Sequence, residues 1–477
     1  MERRWKVLLV TAVAVFMGFL DVTIVNIAFP DIRESFSDSS LAGLSWVLNA
    51  YNIVFAALLV PAGRVADIVG RRRMFFIGLI TFLAASAGCG LAGSVEMLVA
   101  ARVVQAAGAA ILVPTSLGLL LPEFPLEQRA TATALWGATG AVAAATGPSL
   151  GGVLVHATDW RLVFFVNIPI GLAALIPARR LLREVKQDGG TLPDPLGVVL
   201  LTLGVAALAL GIVKGPDWGW SSARVIGSLA GGIALLALLA LRSATHRAPV
   251  LELGLFRVRS FAVAVSGTFL FSVAFYALLL CNILFLTEVW HYSILEAGFA
   301  VTPGPLMAAV SSAVAGRLTD RFGPRPTAMA GPLLFTAGCA LFAASLGSDA
   351  HYLRDYLPAT LLTGTGVGTT YASFSGAAVA KLPPARFATG SAIAACFRQI
   401  GAVLGISVLV AILGTATQAN LVHTFDRAYA WMAIASAAAG LAGFLLGNVR
   451  AGAPSGAKLG PVRSLNSVQI SDSGTRN

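Results

Sequence analysis

The sequence predicts an all-α integral membrane protein: two six-helix bundles plus a two-helix insertion, fourteen transmembrane helices in all. Composition, the spacing of apolar runs and a basic loop that occurs twice carry that reading. The 477-residue chain is 57% hydrophobic and only 12% charged, against about 25% charged in a soluble domain. No soluble core could hide so much apolar surface, so the bilayer has to be the solvent.

A crossing helix needs about 20 mostly apolar residues. Such runs fall at 7–29, 44–62, 74–92, 98–121, 131–155, 162–178, 195–213, 224–241, 261–287, 296–315, 326–346, 354–379, 388–413 and 428–448. With the N-terminus inside, the cytoplasmic loops and tails hold 25 of the 33 Lys/Arg and the external loops hold 6, while Arg102 and Arg398 fall within spans. That bias obeys the positive-inside rule and predicts a multi-pass protein of the cell (cytoplasmic, inner) membrane with both termini cytoplasmic. The formal charge of +11 does not point to nucleic acid, because the basic residues sit in short loops rather than on one folded polar face.

The basic loop runs Gly63-Arg64-Val65-Ala66-Asp67-Ile68-Val69-Gly70-Arg71-Arg72-Arg73 and returns as Gly316-Arg317-Leu318-Thr319-Asp320-Arg321-Phe322-Gly323-Pro324-Arg325. Glycine, arginine, aspartate and the second glycine keep their offsets, so the chain holds two related halves. Residues 1–178 form the first bundle and 179–194 a cytoplasmic linker. Residues 195–241 form an inserted hairpin outside the repeat, with no membrane-buried ionisable group, and so peripheral to the transport path. The second bundle, with its preceding cytoplasmic segment, is 242–448. The polar stretch 449–477 reads as a disordered tail.

Cys89, Cys281, Cys339 and Cys396 lie singly in apolar runs and read as packing residues, without disulfide or metal spacing. The five histidines sit near span ends without ligand partners, so no metal site is expected. The basic Met1–Lys6 precedes a run too long for a signal peptide, which reads as an uncleaved first span.

Asp21 is the one carboxylate well inside a predicted span. An intramembrane acid is costly and by default functional. It can load and unload a proton, since burial favours its neutral form and a cationic neighbour its charged form. Arg102 is its natural counter-charge, and Gln105, three residues on and about 60° around the helix, can share one cavity with it. Gly140, Ala144, Gly147 and Gly151 form a stripe that allows close helix approach, and Pro148 bends that helix. Gly63 and Gly70 permit tight turns; Asp67 can pair with nearby arginines or cap a helix; Arg71, Arg72 and Arg73 read as topology anchors. Asn26, Tyr51, Asn282, Tyr371, Arg398 and Gln399 are further polar candidates for the cavity, each open to a purely interhelical role.

The basic loop resembles the signature between the second and third helices of the major facilitator superfamily. Four further motifs narrow the resemblance to its fourteen-helix drug:proton antiporter branch. They are Leu20-Asp21-Val22-Thr23-Ile24-Val25-Asn26-Ile27-Ala28-Phe29-Pro30 on the first span and Arg102-Val103-Val104-Gln105-Ala106-Ala107-Gly108 on the fourth. The others are Gly147-Pro148-Ser149-Leu150-Gly151-Gly152 on the fifth and Trp160-Arg161 with Phe164, Asn167, Pro169 and Gly171 opening the sixth. Ala106 stands where the family prefers glycine, and Pro324 replaces a basic residue in the second loop.

The resemblance implies a proton-coupled antiporter that exports lipophilic or amphiphilic organic compounds by alternating access. Arg102 would take part in proton coupling with Asp21. The motif residues Gly147, Pro148, Gly151 and Gly152 would seal the cavity, and Gly63, Asp67, Gly70, Arg71 and Asp320 would latch the two bundles on the cytoplasmic side. Proton and a cationic drug would compete for Asp21. The expected partners are a small lipophilic substrate, protons and the bilayer, with no nucleic acid and no cofactor; the proton gradient supplies the energy and the chain acts as a monomer. The alternative is an exporter of lipids or endogenous metabolites on the same fold, and after it an uptake symporter. An enzyme would need a clustered nucleophile and base or metal ligands, and an ATP-driven pump a GxxxxGK[ST] loop; the sequence offers neither.

Overall fold

The computed structural model describes residues 2–125, 128–186, 192–383 and 386–447. Among these residues every regular element is helical. The first six long helices are α1 (Arg3–Ser35), α2 (Trp46–Val69), α3 (Arg71–Gly90), α4 (Val95–Leu120), α5 (Arg129–Ala157) and α6 (Asn167–Leu181). A hairpin of α7 (Pro195–Val213) and α8 (Ala223–Thr245) follows. The remainder comprises α9 (Arg259–Glu288), α10 (Ile294–Val301), α11 (Pro303–Phe322), α12 (Pro324–Ser345), α13 (Leu357–Val379), α14 (Phe387–Leu413) and α15 (Leu421–Phe444). Local chemistry sets several starts. Ser94 caps α4 by accepting the Met97 amide at 3.2 Å, Ser222 does so for α8, and Ser293 forms a capping box with Glu296 at α10.

Among the described residues, twelve helical stretches are long and apolar enough to cross a membrane. The two remaining long helices, α13 and α15, have 23 and 24 residues. Both are diluted: α13 by glycines and threonines, α15 by His423, Asp426 and Arg427 near its start. The start of α15 corrects the sequence reading. Placing the span at 428 left Asp426 outside, whereas the helix begins at Leu421 and carries Asp426 with one carboxylate oxygen buried and unpartnered. Asp426 stands in the first two turns of its helix, whereas Asp21 lies mid-way along α1.

The loops sort to two faces. On the N-terminal face Arg3 reaches the Leu181 carbonyl at 2.8 Å and Glu123 at 3.1 Å, and Arg72 reaches the Arg179 carbonyl at 3.1 Å. On the distal face the Trp160 amide and indole donate to Asp31 and Ser35 at 2.9 and 3.0 Å, and the Trp290 indole donates to the Gly347 carbonyl at 2.9 Å. Packing repeats along the chain: α1 lies on α5, and α2 and α3 on α4, just as α9 lies on α14, and α11 and α12 on α13. Gly70 and Gly323, at matching places of the duplicated loop, both have positive φ (119° and 83°) and end α2 and α11.

The hairpin packs first on itself, with Gly204 and Gly232 letting α7 and α8 close, and α7 also lies along α2 and α14. Its base is pinned by Arg242 donating to Asp194 at 2.7 Å. Burial alone would raise the Asp194 carboxyl, but the hydrogen bonds from Arg242 and the Gly197 amide outweigh it and hold it below the usual carboxylate range. The tail 449–477 and residues 187–191 of the linker lie outside the described residues.

Candidate functional site

Five helices converge on Asp21. It sits mid-way along α1, fully buried. From α4, Arg102 and Gln105 point to it from one face, as their spacing of three dictates. Arg102 makes an ion pair with Asp21 Oδ2, and Gln105 Nε2 donates to Asp21 Oδ1 at 2.7 Å. The same guanidinium donates to Gln105 Oε1 at 2.7 Å and to the Val47 carbonyl of α2 at 3.1 Å, and lies 4.0 Å over the Tyr51 ring. Gln105 also donates to Ser86 of α3 at 2.8 Å, and Asn167 of α6 reaches that hydroxyl at 3.4 Å.

The arrangement is nearly closed. Arg102 is 1% exposed and both Asp21 and Gln105 are 0% exposed. Each carboxylate oxygen has a donor, so the buried charge is matched as a charge inside a low-dielectric core must be. Such a pair can exist ionised or, with one proton added, as a neutral acid beside a free cation. The pair sits within the first six helices and touches three of them through Arg102. Sequence reasoning missed Ser86, and named Asn167 only as part of the motif that opens the sixth span, without placing it at this cluster. The only signal for Ser86 was polarity within an apolar run.

The other polar candidates separate into distinct places. Asn26 is buried and donates back to the Val22 carbonyl at 2.6 Å, leaving its own oxygen unpartnered. Tyr51 supports Arg102, and its hydroxyl is buried without a partner. Asn282 accepts from Tyr429 at 3.0 Å, tying α9 to α15. Tyr371 and Ser272 share a hydrogen bond of 2.9 Å between α13 and α9. Gln399 accepts from Tyr276 at 3.1 Å and donates to Asn52 at 3.1 Å, which joins α14 to α2 across the two halves. Arg398, beside it, is half-buried.

Further contacts between the halves lie toward the distal face. Arg33 pairs with Glu288, and Asn49 donates to Ser407 at 3.3 Å. A vestibule of about 710 Å³ opens there, lined by Asp31, Arg33, Glu34, Thr287 and Glu288 among others. It lies at the ends of α1 and α9, away from Asp21. The fifth-span motif serves two surfaces at once. Gly147 and Gly151 seat α5 on Thr23 and Ile24 of α1; Pro148 and Gly152 face α10, where a Cβ added at Gly298 would meet the Pro148 carbonyl oxygen at 2.5 Å.

The basic loop differs from its sequence reading. Gly63 is not in a turn: it lies inside α2 and packs against Pro114 of α4. Only Gly70 turns the chain. Asp67 pairs with Arg71 at 2.7 Å, and Arg71 also donates to the Gly118 carbonyl at 2.8 Å, so Arg71 is a packing link within the first six helices as well as a charge. The α3 N-terminus is capped by a residue the sequence did not single out, Glu184, which accepts from the Arg72 and Arg73 amides at 2.9 and 3.2 Å. These contacts of Asp67 and Arg71 stay on one side of the seam. The Asp320 side chain lies outside the described residues.

Two similarly packed sets of long apolar helices, one holding a buried acid–arginine pair, define a membrane carrier. The Major Facilitator Superfamily family model matches residues 11–406 and 264–465. The chain belongs to that superfamily and is a multi-pass membrane protein. It is 33% identical over 425 residues to the multidrug resistance protein Stp of Mycobacterium tuberculosis (strain ATCC 25618 / H37Rv), covering 88% of this chain and 78% of that one. It is 34% identical over 412 residues to the tetracenomycin C resistance and export protein of Streptomyces glaucescens, covering 85% and 75%. A crystal structure of a bacterial homolog to the human lysosomal transporter Spinster, inward-facing and occupied, shares the fold with a TM-score of 0.67 at 18% identity, covering 95% of this chain and 100% of that one.

Proposed function

We propose that this protein is a proton-driven exporter of lipophilic or amphiphilic organic compounds, a transporter and not an enzyme, working by alternating access. In this reading the fourteen spans comprise two six-helix bundles and the α7–α8 hairpin, α13 counting as a span because neighbours bury most of its threonines and α15 because its charged residues stand in its first two turns. The N-terminal face is cytoplasmic and the membrane is the cell membrane. The observation that carries the reading is the buried Asp21–Arg102–Gln105 cluster, a charge pair sealed inside a carrier whose family relatives include named drug-resistance and antibiotic-export proteins.

The polar and glycine contacts between the halves gather toward the distal face, which supports a carrier closed to the outside. Opening outward requires parting Arg33 from Glu288 and α5 from α10. A proton on Asp21 cancels its charge and weakens its hold on Arg102, loosening α1 from α4. Helix α1 bears both Asp21 and Arg33, so one rigid element connects the coupling pair with the distal mouth. No cofactor is required, because the proton gradient supplies the energy.

The test is uptake of a panel of fluorescent lipophilic compounds into everted membrane vesicles expressing the protein. Energised vesicles should accumulate at least one compound, and a protonophore should abolish that accumulation. Accumulation that persists without a proton gradient would contradict the proposal.

A further inference from the structure

We infer that the cargo is an anionic aromatic amphiphile, a flat apolar body bearing an ionised carboxylate or acidic phenol, and that Arg398 is the residue that recognises its charge. This rests on the export reading above and gives it a substrate class.

Arg398 is eleven residues from the start of α14 at Phe387, about 16 Å along the helix at 1.5 Å per residue. That is further than an arginine side chain spans, so it cannot snorkel to the headgroups of the N-terminal face. Its guanidinium lies 5.9 Å from the Phe19 ring of α1 and 6.0 Å from the Tyr371 ring of α13. Those rings belong to opposite halves, which places the cation at the seam. The next residue, Gln399, spans the same seam to Asn52.

Among the described residues Arg398 has no carboxylate within ion-pair distance and no hydrogen-bond partner, and its Nε is buried without one. The fully buried Arg102, by contrast, is matched by Asp21. A cation held at membrane depth with an empty donor fork is the arrangement expected of a site that waits for its counter-ion.

The competing idea is a cationic cargo held by Asp21. In this conformation both Asp21 oxygens are occupied, by Arg102 and by Gln105, and the residue is wholly buried. The charge left over at the seam is positive. A guanidinium offers paired N–H groups that match the two oxygens of a carboxylate, and the flanking Phe19 and Tyr371 rings can stack a planar body. The carrier would then move an anion outward against a proton inward.

The test uses the purified full-length protein in lipid nanodiscs at neutral pH and a pair of fluorescent probes that differ only in charge, 9-anthracenecarboxylate and its methyl ester. Binding is followed by probe anisotropy. The carboxylate should bind on the order of tenfold tighter than the ester, the worth of charge-assisted hydrogen bonds. Arg398→Gln should remove that preference by weakening the carboxylate while leaving the ester within about twofold, and Arg398→Lys, which keeps charge but not the fork, should fall between. The wild-type comparison needs no variant to fold, and retained ester binding reports that a variant has folded. Equal binding of both probes, binding of neither, tighter binding of 9-(aminomethyl)anthracene, or parallel loss of acid and ester in Arg398→Gln would each overturn the inference. A carboxylate preference without energised transport would overturn the export reading and support this site; energised transport blind to probe charge would do the reverse.

Discussion

Replacing Arg102 by methionine keeps an unbranched stem and removes the guanidinium. The change deletes the ion pair to Asp21, the bond to Gln105 Oε1 at 2.7 Å, the bond to the Val47 carbonyl at 3.1 Å and the stacking 4.0 Å over Tyr51. Asp21 is left with the Gln105 amide alone, fully out of water. Breaking one side of a buried ion pair costs about 3–5 kcal/mol, because the orphaned charge keeps its desolvation penalty. Asp21→Asn alone leaves Arg102 bonded to Val47 and Gln105, so its cost is smaller, about 1–3 kcal/mol. In the double variant no charge is orphaned. Its stability should therefore equal or exceed that of Arg102→Met, with a coupling of about 0.5–3 kcal/mol. Chemical unfolding of the four purified proteins in one detergent gives the cycle. Losses that add to within about 0.5 kcal/mol would show that the two residues are not energetically paired and would refute the reasoning.

Gly298→Leu places a side chain where a Cβ already meets the Pro148 carbonyl oxygen at 2.5 Å, so the distal face should fail to close; a cysteine at Thr287 should then react faster with an impermeant maleimide, and export should be lost. Gly232→Leu sets its Cβ 2.8 Å from Leu208 and should part α7 from α8; yield and thermal stability should fall while transport per folded molecule is kept, and transport lost at full stability would contradict a peripheral hairpin. Cysteines at Ser37, Ser221 and Gly347 should label from outside intact cells and those at Gln187 and Ser464 should not. Labelling of Gln187 from outside would overturn the proposed topology.

Much of the architecture was legible because membrane physics constrains sequence tightly. Apolar runs mark helices, and the duplicated Gly70 and Gly323 marked the repeat. Asp21 and Arg102 could be paired in advance because each was the one buried-type charge on its span, and Gln105 followed from helical spacing. The four cysteines are buried and free, as their apolar settings implied. What escaped depended on long-range placement. Glu184 caps α3 from 112 positions away from Arg72, and nothing in the basic linker marks one acid as special. The Asn52–Gln399 and Asn49–Ser407 bonds span 347 and 358 positions. Asp426 escaped for a different reason: charged residues at a helix start look like loop to an apolar window. Gly63 was misread because a glycine beside a charge suggests a turn, while here it lies inside α2 facing Pro114 of α4.

The central claim is that a proton on Asp21 drives transport. It is tested most directly by reconstituting wild-type protein and Asp21→Asn in proteoliposomes, imposing a pH gradient and following both a transported fluorescent compound and proton flux. Wild type should show compound-dependent proton movement and accumulate the compound against its gradient. Asp21→Asn should be folded and inserted, show no compound-dependent proton flux and accumulate nothing. Uphill, proton-linked accumulation by Asp21→Asn would contradict the account, and Glu288 would be the next carboxylate to test.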